Sequence, residues 1–280
     1  MNAAMIETNK EKVEASGRGP AEAISKEQEE KLWNGGLLGN DSPKKLLRTL
    51  FFLVGKFFGL RGGREQRDLE WVRDIKLTQT QSGEVLVYTN QYRKNFRGGL
   101  HQRNVGPKIV KAFSCESEPS RCIIETYKLY AKLRPLNGKC KAFYLQPLTK
   151  YTTEQWYSDT PVGHNSLTTM IKGLTEAAGL EGTFTNHSLK KTTGSRLKSL
   201  REAQRRAHTG NRSDAQNIYE QLDDTDFHEN SLALYGHTTQ NSASKIRLSQ
   251  KNEIVVSGPI NKKMKIQANG ETNEITITFD

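Results

Sequence analysis

The stretch from Pro43 to Gly63, "PKKLLRTLFFLVGKFFGLRGG", constrains the fold more than any other. Leu46, Leu47, Leu50, Phe51, Val54, Phe57 and Phe58 recur at helical spacing and form a wide apolar face. Asp41 or Ser42 stands where a cap belongs, and Pro43 suits the first turn. The most apolar part, Thr49 to Leu60, is too short to span a bilayer and contains Lys56. It therefore predicts a buried helix that ends where glycines permit a sharp change of direction. A chain of 280 residues can surround such a helix with one large domain or two small ones.

The flanking sequence predicts a mixed domain. "SKEQEEKLW" has a Ser cap, early acids and a late Lys, the signature of a short helix. "WVRDIKLTQ", the turn "TQSG" and "EVLVYT" predict a β-hairpin. "CIIETYKLYAKL" predicts a helix stopped by Pro135, and "AFYLQP" a short strand. "HNSLTTMIKGLTEAAGL" predicts a helix closed by Gly179. In "TNHSLKKTTGSRL", Asn186 is the expected cap, with Leu189, Leu197 and Leu200 on the buried side. Residues 1–24 lack periodicity and are expected to be disordered. Beyond Leu222, "DDTDFHEN" is expected to be an acidic linker, followed by two or three short strands in the last thirty residues.

Charge is unevenly placed. The net +11 divides into −3 over residues 1–43, +16 over 44–222 and −2 over 223–280. A basic block between acidic ends suits a polyanionic partner. Three cysteines, Cys115, Cys122 and Cys140, without zinc spacing suit free thiols in a reducing interior. The N-terminus has no signal-peptide apolar segment, and no run is long enough to cross a membrane.

Four short stretches carry groups that could meet at one phosphate. Arg61 in "FGLRGGREQRDL" sits where the apolar helix breaks, so it can face a cleft or pair with Glu65 or Asp68. Lys94 in "YRKNFRGG" would lie at the tip or return of a hairpin, as a general acid or as a solvated loop lysine. His187, Lys190 and Lys191 can share one exposed helical face, where a histidine and a cation can hold two phosphate oxygens. An ordinary basic helix has the same pattern. Tyr219 lies beside the stripe Ala215, Ile218 and Leu222, either as a nucleophile or at the edge of a core.

In chain order these stretches resemble the tyrosine recombinase family, and more closely the Crypton-type recombinase domain carried by host proteins with MYM-type zinc fingers or glutamine-rich regions. The resemblance runs from about Ser25 to Leu222 and rests on "LWNGGLLGNDSPKKLLRTLFFLVGKFFGLRGGREQRDLEW", "YKLYAKLRP", "FYLQP", "TNHSLKKT" and "TGNRSDAQNIY". It implies an α+β fold: a mostly helical tyrosine-recombinase catalytic domain over residues 25–222 with a small antiparallel β-sheet, and a tail over 223–280. It implies double-stranded DNA as partner, no metal or nucleotide cofactor, a 3′-phosphotyrosyl intermediate and a nuclear location. Tyr219 would be the nucleophile, Arg61 the first phosphate-binding arginine, Lys94 the hairpin acid and His187 the second histidine. Arg64, Arg93, Arg97, Arg103, Lys191 and Arg212 would be further DNA contacts. The segment after the tyrosine would be a candidate for packing on a neighbour in a homo-oligomer.

Two positions depart from the family pattern. Lys190 replaces an arginine, losing a planar fork for a point charge. Asn211 replaces the usual histidine and cannot move a proton, and His208 is the nearby histidine that could stand in. Loss of one well-placed donor to a developing oxyanion costs roughly 10²–10³ in rate. Only about forty residues precede the expected catalytic region, so most of the helical DNA clamp of such recombinases is expected to be absent from this sequence. The expected function is a transposon-derived DNA-binding protein with a degenerate site. The alternatives are an active recombinase and a protein-interaction scaffold whose acidic flanks and strand-rich tail engage another protein.

Overall fold

The computed structural model describes residues 19–62, 64–81, 83–90, 108–209 and 222–237, and the backbone of 264–268 and 271–275. The fold is α+β, with helices and small antiparallel sheets, as the sequence predicts. Two units divide it, Met1–Thr239 and Gln240–Asp280.

Helix α1 (Lys26–Asn34) starts at Ser25. The Gln28 N–H donates to Ser25 Oγ at 3.1 Å, and the Ser25 N–H donates to Gln28 Oε1 at 2.9 Å, a reciprocal cap. Helix α2 (Pro43–Phe57) has Pro43 in its first turn, but Ser42 makes no side-chain capping bond. The helix is buried on every side in its second half, not on one face. Phe52, Leu53 and Gly55 are as buried as the predicted stripe. The reason is that three later helices, Ile123–Lys132, Asn186–Arg196 and Asp224–Tyr235, all pack on it.

Lys56 is 2% exposed in the middle of this core. Its ammonium donates to Glu29 Oε1 at 2.5 Å, and Arg196 donates to Glu29 Oε2 at 3.0 Å. A buried charge without a partner would cost several kcal/mol, roughly, so the one carboxylate serves both cations and ties α1 to α2. Burial pushes the Lys56 ammonium below its usual range, against the opposing pull of Glu29.

A short helix, α3 (Arg64–Arg67), leads into the hairpin β1 (Ile75–Thr80) and β2 (Gly83–Asn90), paired from Ile75↔Tyr88 to Thr80↔Gly83. A third strand, β3 (Lys108–Phe113), extends this sheet, with Asn90↔Lys108 and Val85↔Phe113. Strand β3 carries little signal in the sequence, because "KIVKAF" is a short run directly after a long basic segment. Helix α4 (Ile123–Lys132) ends before Pro135 as predicted.

Strands β4 (Leu145–Pro147) and β5 (Tyr157–Pro161) form a second small sheet. The Tyr130 hydroxyl donates to Phe143 O and accepts from the Leu145 N–H, both at 2.8 Å, joining α4 to β4. The one helix predicted from His164 breaks at Thr169 into α5 (His164–Thr168) and α6 (Met170–Ala177). Gly179, with φ +62°, follows α6.

Helices α7 (Asn186–Arg196), α8 (Glu202–Thr209) and α9 (Asp224–Tyr235) complete the first unit. The acidic run expected to be a linker is the start of α9. The Asp226 N–H donates to Asp223 Oδ1 at 2.8 Å, and Asp224 and Asp226 face the positive end of the helix. Phe227, Ala233 and Leu234 then bury against β3, α2 and α7. The compact fold therefore continues past Leu222. In the second unit, β6 (Met264–Ala268) pairs with β7 (Glu271–Ile275) in antiparallel register, two of the strands expected in the tail.

Candidate nucleic-acid interface

The end of α2 sets the position of Arg61. Gly59 has φ +58°, which lets the Leu60 N–H reach Gly55 O at 3.0 Å while the Phe58 N–H reaches Val54 O at 3.1 Å. The next three carbonyls are taken by side chains from three other elements. Thr193 Oγ1 donates to Lys56 O at 2.6 Å, His208 Nε2 to Phe57 O at 2.7 Å, and Lys108 Nζ to Phe58 O at 3.1 Å. The carbonyls of Lys56, Phe57 and Phe58 are thus occupied, and α7, α8 and β3 are fixed around the turn.

His208 is thereby a core residue and not a stand-in for Asn211. It is 1% exposed, and a carbonyl can only accept, so Nε2 carries the proton. Nδ1 accepts from Asn230 Nδ2 at 2.9 Å. Burial pushes its pKa down to about 3, so the ring is neutral and sealed from any substrate.

Gly62 brings the Arg61 turn against the head of α7. A Cβ at Gly62 would stand 2.8 Å from Asn186 Cβ, so only glycine allows this approach. Asn186 is not the cap of α7. It is buried, with Nδ2 donating to Leu167 O at 2.7 Å and Oδ1 accepting from the Ile171 N–H at 3.2 Å, which joins α5 and α6 to α7. Thr185 is the cap instead. Its Oγ1 accepts from the His187 N–H at 3.2 Å, and its own N–H donates to Ser188 Oγ at 3.1 Å.

These contacts gather Arg61, His187, Lys190 and Lys191. Arg61 is exposed, and its guanidinium makes no ion pair among the described residues. Its backbone N–H donates to Glu65 Oε2 at 2.6 Å. Glu65 therefore anchors the turn through the main chain, a role the sequence reading did not assign. His187 is half-buried, and its pKa is lowered first by burial and then by Arg61, Lys191 and Lys190. Lys190 is half-buried, and its ammonium donates to Thr209 O at 2.7 Å. Burial and then the Arg61 charge push the ammonium down, while Glu65 pulls it up. Lys191 is exposed on the next position of the helix.

The expected common face of His187, Lys190 and Lys191 is thus split. Lys190 rolls inward, and Lys191 points out. A neutral imidazole between an exposed guanidinium and two ammonium groups can donate to, or take a proton from, an anionic oxygen. Lys94, Asn211 and Tyr219 lie outside the described residues, as do Arg93, Arg97, Arg103 and Arg212. Of Arg64, only the backbone in α3 is described. Among the described residues no group of three or more His, Cys, Asp or Glu is arranged to hold a metal ion. No helix there is long and apolar enough to cross a membrane.

Known proteins provide a wider comparison. The chain is 31% identical over 163 residues to zinc finger MYM-type protein 3 of Homo sapiens, covering 53% of this chain and 12% of that protein. It is 27% identical over 174 residues to the transcriptional regulator QRICH1 of Homo sapiens, covering 57% of this chain and 22% of that protein. The chain thus spans less than a quarter of the length of either relative. Among solved structures it is similar to an FLP recombinase–Holliday junction complex, at 14% identity and a TM-score of 0.42, covering 78% of this chain and 53% of that one. The family described as a domain of unknown function, DUF3504, matches residues 23–176, a span that includes Arg61 and stops before α7. That match takes in more than half of the chain, and the protein belongs to the DUF3504 family.

Proposed function

We propose that this protein binds duplex DNA through a recombinase-like phosphate site and cleaves it weakly or not at all. The observation that carries the reading is the packing of the Arg61 turn against the head of α7, which sets a guanidinium with no ion pair among the described residues beside His187, Lys190 and Lys191. One phosphodiester placed there would meet three cations and a neutral imidazole. The degenerate part of the reading rests on Lys190. An arginine at that position could grip two oxygens at once, whereas the Lys190 ammonium already caps α8. In this reading Tyr219 is the residual nucleophile, Lys94 the acid, and Asn211 a donor that cannot relay a proton. Arg64, Arg93, Arg97, Arg103 and Arg212 extend the DNA footprint. A transposon origin, a Crypton-type ancestry and a nuclear location belong to the same proposal. No cofactor is required, because the bond energy would be kept in a phosphotyrosine.

An active recombinase is the second reading. The observation in its favour is that both flanks of the segment carrying Asn211 and Tyr219 are held by one fold. Gln204 Nε2 donates to Asp226 O at 2.9 Å and to Asn230 Oδ1 at 3.0 Å, which joins α8 to α9.

Duplex binding measured across salt concentrations tests the proposal. Each phosphate contact contributes about 0.9 to the log–log slope, so affinity should fall steeply with salt, and Arg61→Ala should reduce the slope by about 1. Salt-insensitive or absent binding would contradict it and favour the interaction scaffold.

A further inference from the structure

Outside the proposed phosphate site, three elements bring two thiols, an imidazole and a hydroxyl together. Cys115 leaves β3 and is 5% exposed. Its Sγ lies 3.5 Å from His237 Nε2, just past α9, and 3.2 Å from Ser117 Oγ. Ser117 Oγ and His237 Nε2 are themselves 3.3 Å apart, closing a triangle. Ser117 is exposed and His237 half-buried, so they form the solvent rim of the thiol. Cys122 supplies the second sulfur from the head of α4. The Cys115 N–H donates to Cys122 Sγ at 3.5 Å, and the Tyr235 hydroxyl lies 3.6 Å from the same sulfur. None of these groups takes part in the proposed DNA site.

We propose that Cys115 is a nucleophilic thiol for small hydroperoxides, with His237 as its proton acceptor, Ser117 as donor to the thiolate and Cys122 as resolving thiol. His237 Nε2 takes the Cys115 proton. The thiolate sulfur attacks the terminal peroxide oxygen and the O–O bond breaks. The sulfur is oxidised to a sulfenic acid, and the departing alkoxide takes the proton from the imidazolium and leaves as an alcohol. The Cys122 thiol then attacks the sulfenic sulfur. An S–S bond forms, and the displaced hydroxide leaves as water with the Cys122 proton. Cys140 provides the internal comparison. It is half-buried, hence more accessible than Cys115, but among the described residues its thiol has no imidazole beside it.

The test is timed exposure of the full chain to hydrogen peroxide, followed by tryptic mass mapping under non-reducing conditions. Trypsin cuts after Arg121, between the two cysteines, so a Cys115–Cys122 bond is read as two peptides held together with a loss of two hydrogens. The expected result is that Cys115 oxidises at least tenfold faster than Cys140. His237→Gln should slow Cys115 about tenfold without changing Cys140. Cys122→Ser should stop at a sulfenic acid trapped by a 1,3-dione. Oxidation of Cys140 first, or a Cys115 rate unchanged in His237→Gln, would overturn the proposal. Wild-type mapping alone decides the first point, whatever the variants do to folding.

Discussion

The Lys190 ammonium donates to the Thr209 carbonyl at 2.7 Å, so the cation at the head of the phosphate site is also the C-terminal cap of α8. Its two roles compete. A phosphate that draws the ammonium outward uncaps α8, and a cap that holds it inward withdraws charge from the phosphate. Removing the donor altogether takes away this charge-assisted hydrogen bond, at a cost of about 1–2 kcal/mol. Lys190→Met should lower stability by that amount in a urea melt and weaken DNA binding as well. An unchanged melt would mean that the cap contributes nothing.

Restoring the fork addresses the chemistry separately. Lys190→Arg with Asn211→His supplies a bidentate grip and a proton-carrying ring at the two positions that depart from the tyrosine recombinase pattern the sequence resembles. The double variant should raise the yield of covalent DNA adduct by about 10²-fold or more over wild type, given the cost of one oxyanion donor. No rise in a trapping assay would place the defect at positions other than these two.

The approach of Gly62 to α7 has its own consequence. A methyl group at Gly62 would stand 2.8 Å from Asn186 Cβ, so the Arg61 turn must move away from His187. Gly62→Ala should weaken duplex binding several-fold and flatten its salt slope, with a small effect on the melt. Gly55→Ala acts differently. Its Cβ would stand 2.2 Å from Leu189 Cδ1 and 2.5 Å from Gln66 Nε2. Alanine gains about 1 kcal/mol of helix propensity, but overpacking costs about 1–3, so this variant should lose stability. A stabilised Gly55→Ala protein would show that α2 and α7 are looser than described.

Much of this was legible in the sequence. The apolar spacing of Leu46 to Phe58 identified the central helix, and the period-2 pattern of "IKLTQ" and "EVLVYT" identified the hairpin. That Arg61 and His187 could meet at one phosphate was an expectation tied to the resemblance, not to any spacing rule. What the sequence hid was tertiary. The cap at Thr185 and the buried Asn186 could not be told apart, because both residue types favour caps. His208 looked available beside "TG", yet it closes the carbonyl of Phe57. Helix α9 was masked by its own acidic first turn, where carboxylates cap a helix but also read as a solvated linker. The inward roll of Lys190 depends on where α8 ends, and no spacing rule reports that.

His208 predicts an acid-sensitive fold. Its pKa falls from the ordinary 6.5 to about 3 when buried, so the unfolded chain binds the extra proton between those values. The contribution to stability is complete above pH 6.5 and is lost progressively as pH drops toward 3. At full depression the effect is on the order of a few kcal/mol. Urea melts from pH 7 to pH 4 should show this slope, and His208→Gln should flatten it. An equal slope in the variant would assign the acid sensitivity to other groups.

His187 predicts the opposite sign for binding. In the free protein, burial and the neighbouring cations hold its pKa below 6.5. A phosphodiester between Arg61 and Lys191 favours the imidazolium and raises that value, so binding takes up a proton. DNA affinity should therefore increase as pH falls through the bound-state value, by about tenfold for each unit of rise. The gain should vanish in His187→Gln. A pH-independent affinity in the wild type would remove His187 from the phosphate site.

The most direct test of the central claim is a nicked duplex suicide substrate incubated with wild-type protein and resolved under denaturing conditions. The account predicts salt-sensitive retention of the duplex in the native gel and little or no covalent adduct in the denaturing one. A strong covalent adduct that disappears with Tyr219→Phe would contradict it, and would mean that Lys190 and Asn211 still support strand cleavage.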